Sequence, residues 1–323
     1  ILNIFIICFW NDIDNTSSAS SITKIFICSL FSCDKIDNPL PTVYGDFNWD
    51  LYPNDPSTYP YNLTNPGSNW SSNTNPKGVL LEDYTGHKCT NCPAAAVIAK
   101  QLEDDTSLNV IVASIHASTD GSFQSTDPVE FTEDYKTDAG DAYVQEMTGF
   151  IGNPMGTINR NDGGYSNTVW YFSSNWATGI NDEISSSNLE ANLQLQYNYY
   201  PSTNGLFIHT ETSFLNNLSG NYHLIIYLLR EEVVSPQKMS DGSIDHHYHH
   251  HAILSDNING TWGTLINDSA LVSGDVFYHD FSYELPNPSA DSTYNIDNLS
   301  LITYVCDRSS FKVLQTIRTE LSN

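Results

Sequence analysis

Val79-Leu80-Leu81-Glu82-Asp83-Tyr84-Thr85-Gly86-His87-Lys88-Cys89-Thr90-Asn91-Cys92-Pro93-Ala94-Ala95-Ala96 is the stretch whose local grammar sets the expected fold. Its first six residues form a short apolar run of buried-strand type. Gly86 marks a turn, and two cysteines follow with two residues between them. Pro93 then falls in what the spacing predicts as a first helical turn, where its missing N–H had no partner to lose. Ala94–Leu102 continues with good helix formers. Cysteines at a helix N-terminus meet unpaired N–H groups and the positive end of the helix dipole, which favour a thiolate. Cys89 is therefore expected to be the exposed nucleophile and Cys92 the resolving thiol that closes the disulfide. His87 and Lys88 add positive or titratable character beside them.

Downstream, Leu108–His116 reads as a second buried strand, and the loop-rich segment 117–141 is expected to hold a short helix near Phe131–Tyr135. Gly149-Phe150-Ile151-Gly152-Asn153-Pro154 makes a turn before a strand beginning at Thr157. Strand, helix, strand, Pro-turn, strand is an α/β plan. From residue 186 the texture changes. Leu189, Ala191, Leu193, Leu195, Tyr197 and Tyr199 alternate with polar residues, the period of a half-buried strand. Leu206–Phe214, Tyr222–Leu229, Asp275–Tyr283 and Leu299–Cys306 add further strands, separated by Asn, Gly, Pro and Ser turns. The expected fold class is an α/β domain over residues 78–185 followed by an all-β antiparallel sandwich domain over 186–323.

The chain has 12 Lys+Arg against 38 Asp+Glu, a formal net charge of -26. Such a field repels phosphate, so nucleic acid is excluded as an expected partner, and an anionic bilayer holds no electrostatic attraction. Membrane attachment would need a lipid. Leu30-Phe31-Ser32-Cys33, after the apolar run Ile25–Phe31, has the shape of a bacterial lipoprotein cleavage box, making Cys33 the expected lipid attachment. Residues 1–32 are then a signal peptide, or in part sequence upstream of the natural start; the alternative is an ordinary N-terminal strand containing Cys28 and Cys33. Residues 33–77, rich in Pro and Asn, read as the lipidated cysteine and a tether.

Of the six cysteines, Cys8 and Cys28 would leave with the signal and Cys33 would take the lipid. Cys89 and Cys92 remain as a pair with a lone Cys306, which reads as a small buried hydrophobe. Three uses of the pair stay open: a redox-active dithiol, a structural disulfide, or half of a zinc knuckle, for which no second pair exists. His246-His247-Tyr248-His249-His250-His251 is internal. On a strand, His247, His249 and His251 share one face and are weak metal-ligand candidates with Asp245 behind them, against a plain solvent-facing strand or loop. No cofactor is implied. The Asn-x-Ser/Thr matches at Asn15, Asn62 and Asn69 read as coincidental in so Asn-, Ser- and Thr-rich a chain.

The run Asp83–Cys92 has the spacing of the thioredoxin active-site strand and loop. The resemblance implies that Asp83, six positions before the first cysteine, handles the proton of the resolving thiol; otherwise it caps the following turn. It also implies that Pro154, in Asn153-Pro154-Met155, is the cis-proline that faces the disulfide and shapes the substrate groove. Lys88 stands where that family has an aromatic residue, and Thr90-Asn91 replaces Gly-Pro, which leaves the redox potential open. More narrowly, CDKIDNP, VLLEDYTGHKCTNCPAAA, IVASIHAS, GFIGNPMGTINR and LITYVCDRSSFKVLQT resemble the lipoprotein family named after a 28-kilodalton outer membrane protein. That likeness implies a thioredoxin-like domain followed by a β-rich one, held by lipid at the outer membrane of a Gram-negative bacterium. Its expected partners are envelope proteins or surface ligands. Two functions follow: thiol–disulfide exchange on envelope proteins, or a non-catalytic surface lipoprotein whose sandwich binds a partner or glycan.

Overall fold

The computed structural model describes residues 43–44, 48–53, 70–186, 188–267 and 269–323. Cys33, the expected signal segment and most of the expected tether lie outside them, as do Asn15, Asn62 and Asn69. The molecule is mostly β, built on a mixed nine-stranded sheet and a four-stranded sheet, with three α-helices among the described residues.

The decisive stretch forms β2 (Val79–Thr85), the strand after the short β1 (Val43–Tyr44), and all seven of its residues are buried. A strand covered on both faces carries two cores on alternate residues. Leu80 and Tyr84 enter one apolar cluster, Val79 and Leu81 the other. Helix α1 (Cys92–Asp104) crosses over to β3 (Val110–His116), which lies parallel to β2. On one face, α1 supplies Ala95 and Ala99, and α3 (Trp176–Ser186) supplies Trp176 and Ile180. On the other, α2 (Asp138–Glu146) supplies Ala139, Tyr143 and Val144. β4 (Met155–Ile158) and β5 (Trp170–Phe172) add antiparallel edges beyond β2.

The second half contributes β6 (Ala191–Tyr200), β7 (Gly205–Phe214), the long pair β8 (Tyr222–Lys238) and β9 (Ile244–Asn257), and the short β10 (Thr264–Asn267). β11 (Val276–Glu284), β12 (Leu299–Asp307) and β13 (Val313–Glu320) complete it. The order β1-β11-β7-β6 makes the smaller sheet; β13-β12-β8-β9-β3-β2-β4-β5 makes the larger, with β10 paired to β8. The two sheets pack face to face: Leu206 and Ile208 of β7 meet Ile226 and Leu228 of β8 and Leu299 and Leu301 of β12. The opposite faces of β8 and β12 send Tyr227, Leu229, Ile302 and Tyr304 into the core beneath β2 and β3. β9 lies parallel to β3 through Ser114 and Ile253, so the expected α/β and all-β parts share one sheet across residue 186.

Several sequence readings change. The segment Phe131–Tyr135 is loop; the helix starts at Asp138, where the Thr137 side chain accepts the Gly140 N–H at 3.0 Å. α3 was not read from the sequence, and the histidine run lies on β9. Beyond residue 186 the described residues hold only short 3-10 turns as helix, as the pattern implied. No described helix is long and apolar enough to cross a membrane.

Candidate functional site

Cys89 and Cys92 are joined in a disulfide, with Sγ–Sγ 2.05 Å, at the junction between β2 and α1. Cys92 is the first residue of α1, Asn91 caps the helix without a side-chain bond, and Pro93 sits in its first turn. The connecting turn is tight: the Cys89 N–H donates to the Gly86 carbonyl at 3.0 Å, and the Lys88 N–H to the Phe123 carbonyl at 3.0 Å. A Cβ on Gly86 would come within 2.7 Å of the Phe123 oxygen, so only glycine allows the loops this approach.

The expectation of an exposed Cys89 is corrected. Cys89 is 2% exposed and Cys92 1%. The reason is an element remote in sequence. The end of β8 lies over the cysteine loop, with the Gln237 side-chain amide donating to the Cys89 carbonyl at 3.1 Å and the Lys238 N–H to the His87 carbonyl at 2.8 Å. The charges beside the pair are also spent elsewhere. Lys88 donates to Ser125 Oγ, pairs with Asp127 at 3.4 Å and lies over the Phe131 ring. His87 is buried, stacked on Phe131 and hydrogen-bonded to the Ser125 carbonyl; burial holds its pKa below the ordinary imidazole value.

Asp83 sits on β2 opposite Ser114 of β3 and Gly156 of β4, 1% exposed, and neither carboxyl oxygen has a hydrogen-bond partner among the described residues. Burial alone raises its pKa from 3.8 to about 7. It lines a cavity of about 40 Å³ together with Cys92, Ser114, His116, Gln237, Tyr248 and His250. His116 and His250 also pack at a tilt against Tyr135, with ring centroids 4.7 and 5.5 Å from it. Burial, reinforced by the neighbouring imidazoles, pushes His116 well below its ordinary pKa and His250 down to about 4, so both are neutral near pH 7. These groups escaped sequence reasoning because they come from β3, β9 and a loop.

The Asn153–Pro154 bond is cis. Its loop is brought to the cysteine turn by buried Gln124, whose side-chain amide donates to the Thr85 carbonyl at 2.6 Å and to Asn153 Oδ1 at 3.2 Å. Asp83, Cys89, Cys92 and the Pro154 loop thus share one neighbourhood. The histidine run divides by strand period. His250 is buried and Tyr248 half-buried against the cavity, while His247, His249 and His251 are exposed, His249 and His251 at the cavity's rim. His249 Nδ1 meets Glu232 at 2.9 Å. Among the described residues no group of three His, Cys, Asp or Glu side chains is placed to hold a metal ion. Cys306 is buried, and burial pushes its thiol up to about 12, so it is no nucleophile.

On the other face of β2, Glu82 forms a fully buried ion pair with Arg160, Nε to Oε2 at 2.8 Å and Nη2 to Oε1 at 2.7 Å. Thr157 and Tyr227 also donate to the carboxylate, Tyr304 donates to Tyr227, and the guanidinium lies 4.2 Å over the Tyr143 ring. The pair ties β2 and the end of β4 to β8 and β12. Its signal in the sequence was a lone arginine closing an apolar strand in a chain with few cations.

Fold and site together define a mostly β protein with a buried Cys-x-x-Cys disulfide at a strand-to-helix junction. Residues 141–323 match the family model described as outer membrane protein Omp28, and the chain belongs to that family; the protein is accordingly placed at the outer membrane of a Gram-negative bacterium. No curated protein matches the chain. Among solved structures, a protein from Agrobacterium tumefaciens is similar at 11% identity, TM-score 0.46, over 77% of this chain and 99% of its own. A domain of the outer membrane lipoprotein Omp28 from Porphyromonas gingivalis is similar at 17% identity, TM-score 0.29, over 42% of this chain and 91% of its own.

Proposed function

We propose that this outer membrane protein is a lipoprotein, anchored through Cys33, whose thioredoxin-like β2–α1–β3–β4 unit exchanges the Cys89–Cys92 disulfide with thiols of envelope proteins. The observation that carries this reading is Asp83: a sealed, unpartnered carboxyl sharing a cavity with Cys92, raised by burial to about 7. A purely structural disulfide gives no reason to keep such a group, which costs stability wherever it ionises. In the forward step a client thiolate attacks Cys89 Sγ and the Cys89–Cys92 bond breaks. Cys92 leaves as a thiolate and takes the Asp83 proton. A second client thiol, as thiolate, then attacks the mixed disulfide and releases Cys89, which takes up a proton from solvent. The client is oxidised by two electrons and the cysteine pair reduced. Pro154 shapes the groove beside them.

A redox titration of the pair in dithiothreitol buffers, with insulin reduction alongside, tests the reading. It requires a midpoint potential within the range of known exchange proteins; a value well below about -300 mV with no insulin reduction sinks it. The second reading, a non-catalytic surface lipoprotein with a structural disulfide and a sandwich that binds a partner or glycan, is favoured by the 2% exposure of Cys89. It requires that low potential.

A further inference from the structure

The covering of the disulfide has the form of a bound peptide. Residues 235–238, Ser-Pro-Gln-Lys, run extended across the cysteine loop. They are joined to it by a main-chain bond from Lys238 to the His87 carbonyl and by the Gln237 amide on the Cys89 carbonyl and, at 3.5 Å, the Gly86 carbonyl. The ladder between β8 and β9 shifts register between Ser235 and Gln237, at Pro236, which has no N–H to give. Gln237 is thereby turned onto the loop, and it is 2% exposed. Exposed apolar side chains stand on the loops tied to the same turn. Phe123 belongs to the residue whose carbonyl takes the Lys88 N–H, Val129 follows the Asp127 that pairs with Lys88, and Ile151 precedes the cis Asn153–Pro154 bond.

We propose that residues 235–238 hold the place of an extended segment of a client polypeptide, and that a client carrying thiols must displace this arm to reach Cys89. This rests on the exchange reading above and names its client: an unfolded or extended chain with cysteine in it. The His87 carbonyl takes a main-chain N–H from any extended strand, the Cys89 carbonyl takes a side-chain amide such as that of Gln237, and Phe123, Val129 and Ile151 offer apolar contact. At rest, with both sulfurs sealed, no bulky thiol reaches them.

The test uses the full chain and a small reductant, tris(2-carboxyethyl)phosphine. The phosphine takes an oxygen from water as the S–S bond opens to two thiols, irreversibly, so the rate reports access and is independent of the potential. Gln237→Ala and the shortened Gln237→Asn are expected to speed reduction about tenfold, the worth of one buried hydrogen bond. Hydrogen exchange at the Lys238 amide should accelerate by a similar factor while the β2 and β3 amides stay unchanged. A synthetic peptide of residues 232–241 added to the variants should slow them again. Rates equal to the parent's in both variants overturn the proposal, as does acceleration matched by general loosening of β2 and β3. If neither variant folds, a Lys238 amide in the parent that exchanges no faster than β2 overturns it. A pair too reducing for exchange would sink the functional reading and leave these rates untouched.

Discussion

Replacing Asp83 by Asn should make the protein more stable, by an amount that grows from about pH 4 to about pH 7 and is constant above that. The carboxyl is sealed without a partner, and its pKa moves from the ordinary 3.8 to about 7 on folding. Between those values the unfolded chain has released the proton and the folded chain still holds it, so stability falls as pH rises, by 1.36 kcal/mol per unit. The fall begins near pH 4 and is complete above about pH 7, where the burial of charge costs about 4 kcal/mol. The parent's own curve will not display this cleanly. His116 and His250, held neutral inside, lose stability as pH drops below the ordinary imidazole value and tilt the curve the other way. The difference between variant and parent removes that tilt, because both carry the same histidines. Urea unfolding of the two proteins from pH 5 to 8, cysteines kept oxidised, should show the gap in favour of Asp83→Asn widening by about 3 kcal/mol. A gap that stays constant with pH would refute the reasoning, since it would mean that Asp83 gains a partner or meets solvent.

Glu82→Gln removes one charge of a sealed pair and strands Arg160, so a loss of about 3–5 kcal/mol is expected in denaturant unfolding, partly restored by Arg160→Met on the same chain. His250→Gln deletes an imidazole whose pKa falls to about 4; the parent's penalty is absent above pH 6.5 and grows below it. The variant should therefore gain about 2 kcal/mol on the parent between pH 7.5 and pH 5, read by the same unfolding method. The joint Cys89→Ser, Cys92→Ser variant opens a loop of four residues, for which chain entropy assigns about 2 kcal/mol. A much larger loss, measured calorimetrically, would argue that the disulfide is kept for structure.

The part of the fold legible in the sequence is the part encoded by local spacing. The apolar run before Gly86, Pro93 after the cysteines and the alternation from Leu189 each name an element without help from distant residues, and β2, α1 and β6 lie where those signals put them. The Phe131–Tyr135 helix failed because its aromatic spacing serves another purpose: Phe131 stacks on His87 and Tyr135 packs against His116 and His250. The true helix start depended on Thr137 as a cap. Burial of Cys89 was illegible for a different reason. Its cover comes from Gln237, 148 residues away, and nothing local to either position announces the contact. The same holds for Arg160 and Tyr227, 67 residues apart, which meet only through the order of strands in the large sheet.

That order also explains why the cysteine site and the sandwich work as one object. β2 presents its two consecutive carboxyls to opposite faces, and each meets a residue from the long β8–β9 pair. Glu82 accepts from Tyr227 of β8 beneath the sheet, while Asp83 shares its cavity with Tyr248 of β9 above it. The fully paired carboxylate is the anchor: ionised, bonded on both oxygens, and closed off from exchange with solvent. The unpaired one is the movable charge, since nothing but burial sets its protonation. In the proposed exchange the strand end above the disulfide has to move, because the same β8 that braces Glu82 ends on the Cys89 carbonyl. The proposed opening therefore requires the Glu82–Arg160 anchor on one face to hold β2 while the cover on the other moves, and unequal exchange at the Lys238 and β2 amides is its signature.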